Sequence, residues 1–319
     1  MRQLLNRFFR IYIRQRERVV IFLRKITVPG FEGVPLYDVL RFFINGLFQG
    51  ALSVRAAAVA FSFFLAIFPF LLFLFTLIPY IPIDNFQQLL LDLFAEIIPP
   101  DTYSMVEATI FEIVTKHNSR LLSLGFVLTF IFSTNGINAI LEGFNGSKLI
   151  THSKSWIQQR LIAIFLMLVL SFLVVLAILL ITMGDLMIQW LILAHLINDD
   201  FTVLTLEILQ WVIILGLTFF SVSFLYYFGA AKRSSYRFFS PGSILATALL
   251  ILGTLGFNFY IANFSNYNAL YGSIGTLIIF LLWLFFNAFI LLIGFELNVS
   301  IARACENKTE LGLPNYPLV

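Results

Sequence analysis

Six long apolar stretches without a charged residue dominate the pattern of hydrophobic and polar positions along the chain. Each is about 20 residues long, the length of helix that crosses the hydrocarbon core of a bilayer. Lipid offers no partner to a bare backbone amide, so each stretch should be an α-helix, and the absence of an alternating period argues against a β-barrel. The predicted spans are residues 56–78, 121–141, 161–183, 208–229, 241–262 and 274–295.

The fold class that follows is all-α: a polytopic integral membrane protein with six transmembrane helices plus amphipathic interfacial helices. Of the 319 residues, 60% are hydrophobic and 12% are charged, which is about half the charged share of a soluble domain. This composition excludes a soluble enzyme, a disordered chain and a disulfide scaffold. The single cysteine, Cys305, also excludes an internal disulfide and a cysteine-based zinc site.

The distribution of basic residues predicts the orientation of the spans. Ten of the 20 Lys and Arg residues fall within residues 1–55, eight more flank the spans on that same side, and the other side holds only Lys116 and Arg120. Basic residues concentrate on the cytoplasmic side of a membrane. We therefore expect both termini in the cytoplasm. The segments expected outside are 79–120, 184–207 and 263–273.

Two amphipathic helices are predicted before the first span. Residues 1–28 alternate basic and bulky apolar side chains, and we interpret them as a helix on the anionic inner leaflet. An RNA-binding arm is the alternative, although we expect no nucleic acid partner. A second helix should lie at the cytoplasmic interface and lead into the first span. Its apolar face holds Leu36, Val39, Leu40, Phe43, Ile44, Leu47, Phe48 and Ala51.

The predicted organisation has three parts. Residues 1–52 form the basic cytoplasmic or interfacial N-terminal helices, residues 53–300 form the six-helix membrane domain, and residues 301–319 form a cytoplasmic tail. The outer segment 79–120 should form a helical hairpin that caps the bundle, with a gate over a cavity as the alternative. Residues 186–197 are apolar but only about half a span long, so we expect an interfacial or re-entrant helix there.

Polar groups in or beside the spans are the informative candidates for chemistry. The sequence has no catalytic, nucleotide-binding or metal-binding motif, and we expect no cofactor. Polar residues are costly inside a membrane and therefore often functional. They would line a cavity for a lipid headgroup, solute or ion, or they would make structural hydrogen bonds between helices. The candidates are Asn135, Asn138, Glu142, Asn258, Asn263, Tyr267, Asn268, Tyr271, Asn287 and Asn298.

Pro69, Arg55 and Glu296 complete the set of candidate cavity or gating residues. Pro69 lies at the centre of the first span, where it removes a backbone hydrogen bond and should break and bend the helix. Arg55 and Glu296 lie at similar depth where the first span leaves the cytoplasm and the sixth returns to it. Our hypothesis is that they pair, directly or through water. In the alternative, Arg55 reaches lipid phosphates and Glu296 faces cytosolic water.

Three stretches carry a more specific pattern. They are RAAAVAFSFFLAIFPFLL at 55–72, STNGINAILEGFN at 133–145, and residues 240–298, where an N-Y-x-x-x-Y-G-S loop precedes L-L-W-L and G-x-E-L-N. In this order they resemble the YihY/BrkB family of bacterial inner-membrane proteins, over residues 36–300. The resemblance implies six spans and an inner-membrane location. Members have carried the label ribonuclease BN and have been linked to export of envelope lipid or lipopolysaccharide; the resemblance implies no catalytic residue.

The sequence favours a transporter or flippase-like protein that acts on an envelope lipid or a related amphiphile. Membrane lipids are the expected partners, and enzymatic activity is not expected. Because the sequence has no ATP-binding motif, the driving force would be a gradient or a partner protein. A membrane-associated ribonuclease that processes tRNA, as the family label suggests, and a membrane scaffold without transport are the alternatives.

The predicted orientation determines which positions a membrane-impermeant thiol reagent reaches in intact cells. In a cysteine-free background, cysteines introduced near Glu96 and Asn266 should be labelled from outside. Cysteines near Lys154 and Arg233 should be labelled only after the cells are permeabilised, because these segments carry the basic residues that stay inside. Labelling of the Lys154 region in intact cells would overturn the orientation.

Overall fold

The structure, a computed structural model, describes residues 18, 20–49, 51–80, 118–147, 154–193, 200–230, 237–264 and 273–310. Seven α-helices have both ends within these residues, residues 20–25 are also helical, and Ile78–Tyr80 adds a turn of 3₁₀-helix. Most of the predicted helix over 1–28 and most of the predicted outer cap lie outside the described residues. The helices are α1 (Leu36–Gln49), α2 (Leu52–Leu77), α3 (Ser119–Asn145), α4 (Trp156–Leu193), α5 (Asp200–Gly229), α6 (Pro241–Phe264) and α7 (Ser273–Glu310).

Six of these helices, α2 to α7, are long and apolar enough to cross a membrane. The predicted all-α membrane fold and its six spans are therefore confirmed. α7 has 38 residues, and at 1.5 Å per residue it is longer than a bilayer is thick. The spans are Leu52–Leu74, Ser119–Asn145, Trp156–Gly184, Ile208–Gly229, Pro241–Ile261 and Leu277–Asn307.

The six spans form a closed ring. Each span packs against the next one along the chain, and α7 returns to pack against α2. α7 also contacts α3 across the ring, and α1 packs along α7. Each connection in this order joins neighbouring antiparallel helices, as is usual for helix bundles.

Side-chain burial is concentrated at one end of the ring. We call this end the packed end: it is where α2, α4 and α6 begin, where α3 and α5 end, and where α7 passes with residues 288–304. The opposite half is the open end. In this half α4 buries no described side chain over 168–184 and α6 buries none over 248–261, whereas Thr76, Pro79, Gly125 and Gly275 are buried. At the packed end, buried residues fall within 52–60, 134–147, 163–166, 222–230, 240–247 and 288–304.

Three aromatic side chains fill the centre of the ring at the packed end, and we call them the aromatic plug. Phe144 stacks on Phe295 with ring centroids 4.0 Å apart. Tyr226 meets both rings edge-on, at 5.6 and 5.7 Å. The three residues come from α3, α7 and α5, which alternate around the ring, so the side chains meet across the ring and close it. All three are almost fully buried.

α6 and α7 make a very close helix crossing at the packed end. A Cβ atom added at Gly294 would lie 2.7 Å from the Gly242 carbonyl oxygen and 2.5 Å from the Tyr226 hydroxyl. Glycines at such a crossing let two backbones approach each other in a membrane. The crossing fixes the position of the α7 segment that follows Gly294.

α1 forms as predicted and packs only part of its apolar face on the protein. Val39 is fully buried, whereas Ile44 and Phe48 are 50% and 85% exposed. The contact with α7 is centred on Val39 and Gly46, so it uses one edge of the wide apolar face. The other edge remains available to lipid, as expected for an interfacial helix.

The expected break in the first span is wrong. α2 runs from Leu52 to Leu77 with Pro69 inside the helix. Proline removes one backbone donor, but the turns on either side keep their hydrogen bonds. Unwinding those turns would expose further unpaired groups to lipid, which costs several kcal/mol for each group.

The expected separate helix over 186–197 is also wrong where the chain is described. α4 continues without interruption to Leu193. Gly184, which suggested a break, lies beside Gln210 of α5, and Gln210 Nε2 donates to the Ile181 carbonyl oxygen at 3.3 Å. A glycine within a membrane helix often serves helix packing, and here it marks the contact with α5.

Replacement of Gly242 by alanine should lower the free energy of unfolding by about 1–3 kcal/mol, since the added methyl group would overlap the Gly294 carbonyl oxygen. Gly256→Ala on the same helix is the matched control, because nothing lies within 4 Å of its Cβ position. Thermal unfolding in detergent should show a lower midpoint for Gly242→Ala and an unchanged or higher one for Gly256→Ala. Equal midpoints would contradict the close crossing.

Candidate functional site

Glu296 is the most deeply buried ionisable group that the structure describes at the packed end. Its side chain has no exposure to solvent, and it follows Phe295 of the aromatic plug. Both carboxylate oxygens have a partner: Oε1 accepts a hydrogen bond from Ser147 Oγ at 2.9 Å, and Oε2 accepts one from Arg55 Nη2 at 3.3 Å. A buried carboxylate is tolerated only with such partners.

Arg55 joins this carboxylate to the end of α3. Its Nη1 donates to the Gly143 carbonyl oxygen at 2.8 Å. Gly143 lies in the last turn of α3, where carbonyl groups lack a partner within the helix and carry the negative end of the helix dipole. One guanidinium therefore binds both a carboxylate and a helix C-terminus, which its planar fork of donors permits.

Two glycines make room for the ion pair. In α1, a Cβ atom at Gly46 would overlap Glu296 Oε1. Just after α3, a Cβ atom at Gly146 would lie 2.9 Å from Arg55 Cδ. The pair therefore lies at a junction of α1, α2, α3 and α7, with each of these helices or its end in direct contact with it.

The predicted pairing of Arg55 and Glu296 is confirmed. The alternative, in which Arg55 reaches lipid phosphates and Glu296 faces water, is wrong because the two side chains are 11% and 0% exposed. Desolvation offsets much of the attraction within a buried ion pair, so the pair by itself adds little stability. Removing one partner, however, leaves an unmatched charge inside the bundle.

A second cluster of polar residues, which we call the polar seam, lies along the contact between α3 and α4. Arg160 Nη1 donates to Asn135 Oδ1 at 2.6 Å, and Gln159 Nε2 donates to Asn138 Oδ1 at 2.9 Å. Asn138 Nδ2 in turn donates to Glu142 Oε1 at 2.7 Å. The predicted face of Asn135, Asn138 and Glu142 thus makes hydrogen bonds within and between the two helices, with Glu142 exposed at its edge.

Asn298 binds the start of α6. Its Oδ1 accepts a hydrogen bond from the Gly242 amide, and its Nδ2 donates to Ser240 Oγ, both at 2.8 Å. Ser240 is the N-cap, since its Oγ accepts from the Ser243 amide at 3.2 Å. Pro241 follows at the first helical position, where its missing donor is not needed. Asn298 therefore joins α7 to α6 as a second cap.

Two further contacts satisfy carbonyl groups at the packed end. Lys154 Nζ donates to the Phe228 carbonyl oxygen at 2.5 Å, in the last turn of α5. The Tyr226 hydroxyl donates to the Leu291 carbonyl oxygen at 2.7 Å. Both α3 and α5 therefore end against a cation from another part of the chain, the arrangement that the helix dipole favours.

The remaining sequence candidates do not join the ion pair. Asn287 Nδ2 donates to the Trp283 carbonyl oxygen at 2.7 Å, one turn earlier in α7. Asn258 is exposed on α6, and Pro69 lies in the half of α2 that belongs to the open end. The side chain of Asn263, and the whole of Tyr267, Asn268 and Tyr271, lie outside the described residues.

Sequence reasoning missed several members of the site. Ser147 and Gly143 are ordinary residues for a helix end, and Gly46 lies among bulky apolar residues, so no pattern distinguishes them. Gln159 and Arg160 could have been found from the sequence. They immediately precede the predicted third span, and Asn138 lies near the end of the predicted second span, so the three residues lie at similar depth in the membrane. Polar residues at equal depth in consecutive spans are natural partners.

Comparison with known proteins gives one family profile and several relatives. The profile, described as Virulence factor BrkB, matches residues 44–315. The ribonuclease-like protein YfkH of Bacillus subtilis is 30% identical over 254 residues, which cover 78% of this chain and 90% of that protein. A UPF0761 membrane protein of Tolumonas auensis is 23% identical over 279 residues, 85% of this chain and 87% of that protein. No solved structure gives a significant match.

Arg55→Ala and Glu296→Ala should each lower the free energy of unfolding by about 3–5 kcal/mol, because each leaves its buried partner unmatched. The double variant should lose much less than the sum of the two. Unfolding in detergent of the wild type, both single variants and the double variant measures the coupling energy.

The matched control is the ion pair Arg303–Glu306 on α7, the helix that carries Glu296. Its side chains are 37% and 43% exposed. The same set of alanine variants there should give a coupling energy of about 0.5 kcal/mol or less. Strictly additive losses at Arg55 and Glu296 would show that the two residues are not coupled.

Proposed function

Because the chain belongs to the BrkB family of multi-pass membrane proteins, we propose that it is a transporter or flippase-like protein for an envelope lipid or a related amphiphile. The family resemblance seen in the sequence motifs is confirmed by the profile, which covers residues 44–315. We assign transport rather than catalysis to the chain. The word ribonuclease is part of the name of the relative YfkH, and we do not carry that activity over to this chain.

The observation that carries the proposal is the uneven packing of the ring. Among the described residues, most of the buried side chains lie at the packed end, and few lie in the opposite half. Here the aromatic plug and the ion pair close the packed end, whereas α4 buries no described side chain between 168 and 184. A ring that is closed at one end and loosely packed at the other corresponds to one state of an alternating-access cycle.

We propose that the packed end faces the cytoplasm of a bacterial inner membrane, with both termini on that side. Arg55, Lys154, Arg160 and Arg303 lie at the packed end, whereas Arg120 lies at the open end. The bias follows the positive-inside rule. In this orientation the loosely packed half of the described helices faces the outside.

An amphiphile suits the open end better than a small ion does. Its helices expose bulky apolar side chains, such as Phe68 on α2, Leu179 on α4 and Phe259 on α6, each more than half exposed. We propose that side chains of this kind line the path of the amphiphile, because an apolar surface matches acyl chains and offers little to a hydrated ion. For the basic N-terminal segment we propose the anionic lipids of the inner leaflet as partners, since surface attraction is about 1 kcal/mol for each basic residue near the membrane.

The test is lipid translocation by purified protein reconstituted into liposomes. The probes are fluorescent phosphatidylethanolamine and phosphatidylglycerol, whose outer-leaflet fraction is quenched by dithionite. With wild-type protein, with or without an imposed proton gradient, dithionite should quench more than half of a lipid probe, because probe molecules from the inner leaflet cross to the outer leaflet by way of the ring. A trapped water-soluble fluorophore, quenched only if dithionite enters, is the control for leakage.

A scaffold without transport predicts a different result. If both probes remain protected to the same extent as in protein-free liposomes, in the presence and the absence of the gradient, the transport function is contradicted. Quenching of the trapped fluorophore in step with the lipid probe would mean that the ring leaks, which also contradicts the proposal.

A further inference from the structure

We infer that the polar seam binds the headgroup of a zwitterionic phospholipid with a phosphate and a primary ammonium group, the class to which phosphatidylethanolamine belongs. The role of this site rests on the proposed function, because the site determines which lipid enters the path and between which helices. Two opposite charges at the contact between α3 and α4 carry the inference. Arg160 and Glu142 both belong to the polar seam, yet no ion pair joins them among the described residues.

Each of the two charged groups retains hydrogen-bonding capacity that the protein does not use. Arg160 donates through Nη1 to Asn135 Oδ1 at 2.6 Å, and its Nε and Nη2 have no partner in the part of the chain that the structure describes. Glu142 is exposed. Its Oε1 accepts a hydrogen bond from Asn138 Nδ2 at 2.7 Å, and its Oε2 has no partner within the same residues. Two guanidinium nitrogens and a carboxylate oxygen are therefore available to a ligand.

The charges of the two helices are balanced at this contact. In α3 and α4, Glu142 and Arg160 are the charged residues of the packed end, whereas Arg120 and Asp185 belong to the open end. Lys154, which precedes α4, donates to a carbonyl group at the end of α5. The seam thus presents one positive and one negative group, a combination that a zwitterion matches better than an ion of either sign does.

The separation of the two charges suits the headgroup. The guanidinium is held at Asn135 and the carboxylate is held at Asn138, three residues further along α3. Three residues correspond to about 4.5 Å along the helix axis. In phosphatidylethanolamine an ester oxygen and two methylene groups separate the phosphorus atom from the amine nitrogen, which gives a distance of the same order.

The order of the charges suits the orientation of an inner-leaflet lipid. Because α3 ends at the packed end, Asn135 lies deeper in the membrane than Asn138 when the packed end faces the cytoplasm. The guanidinium of Arg160 would then bind the phosphate, for which arginine provides paired hydrogen bonds. The carboxylate of Glu142, nearer to the cytoplasm, would accept a hydrogen bond from the ammonium group.

The surface beside the seam becomes apolar toward the open end. On α3, Ile131 and Leu124 precede Asn135 by four and eleven residues, so they lie on the same face of the helix. They are 40% and 50% exposed. On α4, Leu168 lies two turns beyond Arg160 and is 57% exposed. Acyl chains can therefore extend along apolar side chains from a headgroup that is held at the seam.

This arrangement discriminates between phospholipid headgroups. Phosphatidylglycerol has a phosphate for Arg160 but no cation for Glu142, whose negative charge repels it. Phosphatidylcholine has a cation, but its quaternary ammonium has no N–H group to donate to the carboxylate. Phosphatidylethanolamine can form charge-assisted hydrogen bonds with both residues.

Competitive lipid binding to the purified protein tests the inference without any measurement of transport. Delipidated protein in detergent is mixed with phosphatidylethanolamine, phosphatidylglycerol and phosphatidylcholine that carry the same acyl chains. Native mass spectrometry measures the fraction of protein that holds each lipid. The wild type should bind phosphatidylethanolamine about tenfold more tightly than either of the others, because one additional charge-assisted hydrogen bond is formed.

Two variants assign the preference to the seam. Glu142→Gln removes the negative charge and keeps an acceptor for Asn138, so the preference for phosphatidylethanolamine should fall to about twofold or less. Arg160→Gln should weaken the binding of all three lipids about tenfold, since all three carry the phosphate. The matched controls, Glu306→Gln and Arg303→Gln, remove the same charges from an exposed ion pair on α7 and should keep the wild-type preference.

Equal affinity of the wild type for the three lipids would overturn the inference. A Glu142→Gln variant that keeps the wild-type preference would also overturn it, and so would control variants that lose the preference to the same extent. The comparison of lipids on the wild type needs no substitution, so a variant that failed to fold would leave it decisive.

The outcomes separate this site from the proposed function. A preference that depends on Glu142 without lipid translocation would leave the headgroup site standing and remove the transport function. Lipid translocation by a protein without headgroup preference would leave the transport function standing and remove the site.

Discussion

A carboxylate without access to water must be matched by a cation or by hydrogen-bond donors wherever it lies in a helix bundle. At Glu296 that requirement is met by groups from several helices: a guanidinium from α2, a hydroxyl beyond the end of α3, and a glycine in α1 that leaves space for the carboxylate. Much of the packed end is arranged around this one group. The arrangement ties the interfacial helix α1 to the membrane domain through the same residue.

The packed end also satisfies the helix ends that meet there. α3 ends against Arg55, α5 ends against Lys154, and α6 begins against Asn298. Each contact pairs an unsatisfied terminal backbone group with a side chain from another helix. In a membrane, where water cannot satisfy such groups, contacts of this kind determine where helices converge. The open end has the apolar surface of a membrane bundle without this convergence of polar contacts among the described residues.

Much of the fold could be predicted from the sequence, because charge-free runs give the spans and a 3.6-residue period gives α1. The pairing of Arg55 with Glu296 was also predictable, since depth in the membrane follows from distance along each span. The spans are apolar on every side, however, so no periodic pattern indicates which face of each helix points inward. Gly46 and Ser147 could not be identified for that reason. Pro69 and Gly184 were misleading because the signals that end helices in water have less effect in lipid.

The aromatic plug and the Glu296 junction close one end of the ring of six helices, and the described helices pack loosely over the other half. A cryo-EM reconstruction of the protein in a lipid nanodisc tests it most directly. We expect continuous side-chain density linking Phe144, Tyr226 and Phe295, density joining Arg55 to Glu296, and lipid or solvent between the helices of the opposite half. Side chains packed along the whole length of all six spans, with no such space, would contradict it.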